Sequence, residues 1–432
     1  MKARFSIILR GVCVLGLLAW SGCAVYTPKP PEILRNTEEW RQVSLALVPP
    51  GKALSFQKIG DIGLMLNPEL NKARLTLRRS DKVAQYAGLW SDPSLSLEGN
   101  RYLESLRYDR SIAPGLSIPL TGVPALARKV AEAYREADYY QLRAQESDYL
   151  MRLHALYYTI QITHAKHKII RKRLTAATEE KINISRLADS GEAGAGDVHS
   201  ATQRLSDLLK ELQELENKHL DKHLELISML GLHPEVGDME VVDTLPRGVP
   251  ADVPPPTVAA LLIHPRLLAA FAAHHTSEQE LRLEIRKQYP NLELSPGYTK
   301  EEGDEKLTLS VGFTLPLWNR NREAIARAEG ARALSRHSAQ QQWHELVQMA
   351  YALQRRQLLA RQHCREEFER LSALQEVTEQ QESLYELGET SLPELAAARH
   401  DTYTRRLAYL DCLSELLEIQ VALQYLSTPN PS

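Results

Sequence analysis

Two hydrophobic patterns divide this chain. Most of it carries Leu, Ala and Tyr at helical spacing, and two stretches of that kind are unusually long. From Ala125 to Ser190, and again from Ala331 to Leu387, neither Gly nor Pro occurs. A helix of about 60 residues is roughly 90 Å long. No single globular core needs that length, so the apolar stripes read as seams of coiled coils or tunnel walls. Returning helices are predicted over 197–230 and 393–427, and shorter ones over 58–87 and 256–287. Against this background four segments alternate with period two. In PSLSLEGNRYL (93–103), Leu95, Leu97 and Leu103 share one face, and Ser94, Ser96, Glu98 and Asn100 the other. Segments 108–120, 290–299 and 306–317 behave alike, for example Leu307, Leu309, Val311, Phe313, Leu315 and Leu317 against Thr308, Ser310, Gly312 and Thr314. Alternation puts successive side chains on opposite faces, so each strand has an apolar face and a small polar one.

These elements recur in register. Pro68, Pro93, Gly115, Pro119 and Gly191 are each followed 197 positions later by Pro265, Pro290, Gly312, Pro316 and Gly388. Five ordered anchors at one offset imply a tandem duplication of a unit of about 200 residues. The units are 54–230 and 258–428, each a helix, two strands and a long helix hairpin, with turns near Gly191 and Gly388. The Gly- and Pro-rich run 231–257 reads as a connector, 23–53 as an irregular linker and 429–432 as a tail.

An alternating sheet most often lies with one face on a soluble core. Two features favour a membrane instead. Each strand is about ten residues long, the length a tilted spanning strand needs. Aromatics bracket the strands, with Trp90, Tyr289 and Trp318 at one level and Tyr102, Tyr108 and Tyr298 at the other. Four strands cannot close, and unpaired edges are costly in hydrocarbon, so a barrel must be assembled from several chains.

The amino terminus supports export. Lys2, Arg4 and Arg10 precede an apolar core, GVCVLGLLAW (11–20), and then Ser21-Gly22-Cys23. The core is too short to span a bilayer. Residues 1–22 thus read as a signal peptide; its end resembles a bacterial lipoprotein cleavage site, with Cys23 the lipidated first residue, and the alternative is an ordinary secretory signal peptide with Cys23 a passenger. Charge adds little. The net charge of −3 gives no argument for nucleic-acid binding, and the four cysteines fit no zinc motif.

AGLWSDPSLSLEG (87–99), GLSIPLTG (115–122), SGEAGAGDVHSATQRL (190–205) and LGETSLPELAAARHD (387–401) resemble the TolC-type outer-membrane efflux proteins, above all their lipoprotein branch. The resemblance implies a mostly α fold with a small β part. Three chains would form a 12-stranded β-barrel continued by a helical periplasmic tunnel. It implies a passive duct without enzyme activity or cofactor, anchored in the outer membrane through Cys23. Its partners would be a periplasmic adaptor and an inner-membrane pump of resistance-nodulation-division type, and its cargo small molecules or ions. Type I protein secretion uses the same architecture. In this family the hairpin tips, here Gly191, Glu192, Gly388 and Glu389, meet the adaptor. Acidic residues just beyond them constrict the periplasmic mouth, and they correspond to Asp197 and Glu394. A second acidic position falls on Ala397, and a basic latch on Thr390. Asp197 and Glu394 also read simply as first-turn acids favoured by the helix dipole.

Other patterns are weaker. His219 and His223 have helical i, i+4 spacing but no third ligand, so they read as a solvated face, and HAKHKIIRKRL (164–174) reads as a solvated basic face. No metal site or catalytic constellation is expected. Cys364 and Cys412 lie 24 residues either side of Gly388, so antiparallel helices would bring them to one height, as a disulfide or as two buried thiols. A periplasmic coiled-coil adaptor without a pore is the rival from another class. It would carry one hairpin flanked by compact β domains rather than two hairpins preceded by strands.

Overall fold

The computed structural model describes residues 26–31, 33–49, 51–101, 108–237, 239–301 and 304–428. Cys23 and the leader lie outside them. In chain order the elements are α1 (Ile33–Leu47), α2 (Phe56–Leu66), α3 (Pro68–Tyr86), β1 (Ser94–Arg101), β2 (Tyr108–Ile118), α4 (Val123–Asp189) and α5 (Ala195–Leu230). After the connector come α6 (Val258–Leu262), α7 (Pro265–Lys287), β3 (Leu292–Glu301), β4 (Asp304–Phe313), α8 (Arg322–Glu386) and α9 (Leu392–Ser427). The offset of 197 holds at element ends: Asp189 closes α4 and Glu386 closes α8, and α5 and α9 begin and end at matching positions.

Both shorter helices differ from their sequence expectation. The segment expected as one helix over 58–87 breaks at Asn67, and that over 256–287 breaks at His264. Proline lacks an N–H and disfavours a helical residue before it, so Pro68 and Pro265 each open a new helix. The residue before the proline becomes the cap: Asn67 Oδ1 accepts from Leu70 N at 3.0 Å, and His264 Nδ1 accepts from Arg266 N at 3.3 Å. The linker expected to be irregular contains α1. Trp40 Nε1 donates to Gly231 O at 2.7 Å, and Arg41 pairs with Glu235, fastening α1 to the connector. Helix α8 starts at Arg322, nine residues earlier than the Gly-free stretch suggested, because exposed Gly330 does not break it.

The core lies where the helices cross the connector. Ile59, Ile62, Leu153, Tyr157, Ile160, Leu226 and Leu230 form one buried cluster with Met239. Ile162, Cys364, Cys412, Leu413, Leu416 and Leu423 belong to a second. The connector runs along the helices as a belt, held by side chains reaching out of them. Tyr157 Oη donates to Val242 O at 2.8 Å, Gln357 Nε2 to Val253 O at 3.0 Å and Gln420 Nε2 to Ala251 O at 2.8 Å. Such bonds satisfy backbone groups that have no secondary structure to pair with.

Candidate functional sites: the open sheet and the hairpin tips

The four strands form one antiparallel sheet in the order β1-β2-β3-β4. Its bounds shift from the sequence reading: β1 starts at Ser94 rather than 93, β2 ends at Ile118 rather than 120, β3 spans 292–301 rather than 290–299, and β4 spans 304–313 rather than 306–317. Residues 102–107, including Tyr102, fall outside the described set. The β2–β3 pairing stops at Ile112↔Tyr298 and resumes at Leu116↔Leu294. Pro114 and Pro296 sit in that gap and have no N–H to contribute.

Register sorts the sheet into two faces. Ser94↔Gly115, Ser96↔Ala113, Ser295↔Ser310 and Gly297↔Thr308 lie on one. It is narrow: a Cβ on Gly115 would come within 2.4 Å of Ser94 Oγ, and one on Gly297 within 2.5 Å of Thr308 Oγ1. Leu95, Leu97, Ile112, Leu116, Leu294, Tyr298, Leu307, Leu309, Val311 and Phe313 lie on the other. That apolar face has no core against it. Leu97 is 66% exposed, Leu309 69% and Phe313 60%, so no core of the described residues covers this face. Trp90, Tyr289 and Trp318 are exposed where the sheet meets the helices. Among the described residues the outer edges of β1 and β4 have no partner strand. Among the described residues no helix is long and apolar enough to cross a membrane.

The tips lie at the opposite ends of the long helices. Gly191 (φ +83°) and Gly388 (φ +75°) both adopt the left-handed conformation that ends a helix. A Cβ would meet no neighbour at either glycine, so backbone conformation rather than space demands it. Glu192 N donates to Leu187 O at 2.8 Å, and Glu389 N to Leu384 O at 2.9 Å, satisfying carbonyls of the last turn. Each acid then caps the next helix. Asp197 Oδ2 accepts from Gly194 N at 2.9 Å. Glu394 Oε2 accepts from Ser391 N at 3.0 Å, Ser391 Oγ at 2.9 Å and Thr390 Oγ1 at 2.8 Å. The backbone bond from Ser391, followed by the Thr390 and Ser391 hydroxyls, holds the Glu394 carboxyl below its ordinary range. Gly191, Glu192, Asp197, Gly388, Glu389 and Glu394 are all exposed.

Two motifs far apart in sequence meet across α4 and α5. The rings of His219 and His223 are 4.3 Å apart between centroids, and His164 and His167 lie 6.2 and 6.5 Å from His219. His223 is buried rather than on a solvated face, with its ring against that of His219. Among the described residues no group of three or more His, Cys, Asp or Glu is arranged to hold a metal.

A network that the sequence reading missed joins α8 to α9. Glu367 is buried, with Arg405 Nη1 at 2.9 Å from Oε2 and Arg370 Nη1 at 2.9 Å from Oε1. Burial pushes its carboxyl up, but the two guanidiniums outweigh that and hold it low. An acid at a core position of an otherwise apolar stripe was the available signal.

Comparison with known proteins agrees with this geometry. The chain shares its fold with CusC, solved in work on folding and transmembrane channel formation (15% identity, TM-score 0.69, covering 86% of this chain and 92% of that one). It also shares it with the CmeC outer membrane channel of Campylobacter jejuni (14%, 0.71, 87% and 85%). The MtrE outer membrane channel of Neisseria gonorrhoeae, solved in its open state, is a third (15%, 0.68, 87% and 89%). No curated protein sequence matches. The model of the outer membrane efflux protein family matches residues 63–232, which span α3 to α5 and the first pair of strands. Residues 63–232 thus match the outer membrane efflux protein family, and the chain as a whole shares the fold of these outer-membrane channels.

Proposed function

We propose that this protein is the outer-membrane channel of a tripartite efflux system. It is a passive trimeric duct that receives small molecules or ions from an inner-membrane pump, of resistance-nodulation-division type, through a periplasmic adaptor. The observation that carries this reading is the open sheet, with an exposed apolar face, a small polar opposite face and two edges unpartnered among the described residues. Only a closed barrel satisfies every backbone group in lipid. Three copies contribute twelve strands, with β4 of one chain pairing β1 of the next, which leaves room for water inside. The apolar face then meets lipid, and Ser94, Ser96, Ser295, Thr308 and Ser310 line the lumen. The tips at Gly191, Glu192, Gly388 and Glu389 meet the adaptor, and Asp197 and Glu394 line the periplasmic mouth. Cys23 carries the lipid anchor, a second membrane attachment beside the barrel. Purified protein added to planar bilayers should give discrete conductance steps. Bilayers that stay closed, with the protein demonstrably inserted, would contradict the duct.

A further inference from the structure

We propose that Cys364 and Cys412 are joined by a disulfide in the mature protein, stapling α8 to α9 roughly 36 Å above the second tip. In the structure both are free thiols, 0% and 4% exposed, one on each of the two packed helices and within one apolar cluster. Ala360, Phe368, Tyr409 and Leu413 belong to the same apolar cluster, and Cys412 Sγ also lies 3.1 Å from Tyr409 O. The sequence holds two other cysteines, Cys13 and Cys23. On the duct reading, on which this inference rests for its compartment, Cys13 leaves with the leader and the Cys23 sulfur carries lipid. The two remaining thiols then face each other in an oxidising space, where such pairs persist as disulfides.

The chemistry is a two-electron thiol–disulfide exchange with a protein disulfide as oxidant. The Cys364 thiolate attacks one sulfur of the oxidant disulfide and forms a mixed disulfide, releasing the oxidant's other sulfur as a thiolate. Cys412 loses its proton and attacks the Cys364 sulfur, expelling the oxidant's second sulfur. The oxidant leaves as a dithiol carrying both electrons. The two cysteines can exchange these roles without altering the balance. Burial requires the exchange to precede packing of the hairpin, and it then shields the bond from reductant. The staple is one-sided. At the offset of 197, the first hairpin has His167 and Leu215 at the matching positions. Helices α8 and α9 therefore move as one body at this height, whereas α4 and α5 are held there by side chains alone.

The test is alkylation of the chain from its own cells, denatured without reductant, followed by peptide mass spectrometry. The expected result is no alkylation at Cys364 or Cys412, a cross-linked pair of peptides two hydrogens lighter than the reduced pair, and full alkylation after reduction. In Cys364→Ser, Cys412 should become alkylated without reductant. Alkylation of both cysteines in the unreduced wild-type chain overturns the proposal. Fractionating the same cells scores location separately: a chain absent from the outer membrane faults the duct reading, while its thiol state still decides the bridge.

Discussion

Glu394 combines two roles at one carboxylate. One oxygen caps α9 by accepting from Ser391 and Thr390, while the charge stays exposed beside the tip. Glu394→Gln keeps an acceptor for the cap and removes the charge. If three copies ring the mouth, the variant should keep its helix content and lose cation preference in bilayer recordings; unchanged selectivity would remove Glu394 from the mouth. His264 gives a residue-scale prediction about pH. Burial, then the Arg266 charge, opposed by Asp148, lowers its pKa to about 4 from 6.5, and the neutral ring accepts the Arg266 N–H that caps α7. Below pH 6.5 the unfolded chain binds a proton that the folded chain does not take up until about pH 4. Stability is therefore retained above 6.5 and lost as pH falls through that window, by on the order of 3 kcal/mol at most. Half-buried His154, also lowered to about 4 by desolvation, acts in the same direction. His264→Asn copies the cap that Asn67 supplies in the first half. Its thermal midpoint should fall less steeply between pH 6.5 and 4 than that of the wild type, and an identical slope would contradict the assignment.

At the scale of elements, the two faces of β4 make opposite demands. Leu309 lies mid-strand on the apolar face and Ser310 on the small one. Leu309→Lys should cost about 2–4 kcal/mol if that face meets the bilayer centre, read as loss of folded protein in the membrane. Ser310→Lys should fold and alter conductance instead. The reverse pattern would mean that the sheet is inside out. Between α8 and α9, Glu367→Gln leaves Arg405 and Arg370 without their counter-charge. It should lower the urea midpoint by the equivalent of about 1–3 kcal/mol, and no change would show that the buried pair is idle. Much of this scale was legible in the sequence. Strand faces followed from period-two alternation, and the tips from Gly191 and Gly388 at the ends of Gly-free runs. The breaks at Asn67-Pro68 and His264-Pro265 were present as matched anchors, yet apolar periodicity continued through both and concealed them. Helix α1 and the connector belt were not legible, because their partners, such as Gly231 for Trp40 and Val253 for Gln357, lie about 100 to 190 residues away. The histidines met for the same reason: spacing within α4 and α5 was visible, but the register between the helices was not.

For the molecule as a whole, the chain is unfinished on its own. Among the described residues its sheet exposes apolar residues on one face and leaves the β1 and β4 edges unpaired, and its long helices carry exposed apolar side chains such as Leu334, Tyr351 and Leu359. Exposed apolar surface on that scale marks contact with lipid or with other chains. The most direct test is the mass of the mature, detergent-extracted protein by light scattering, corrected for bound detergent. The account predicts three chains per particle. A monomer that stays soluble without detergent would contradict it, because an open sheet with this apolar face could not then be part of a shared barrel.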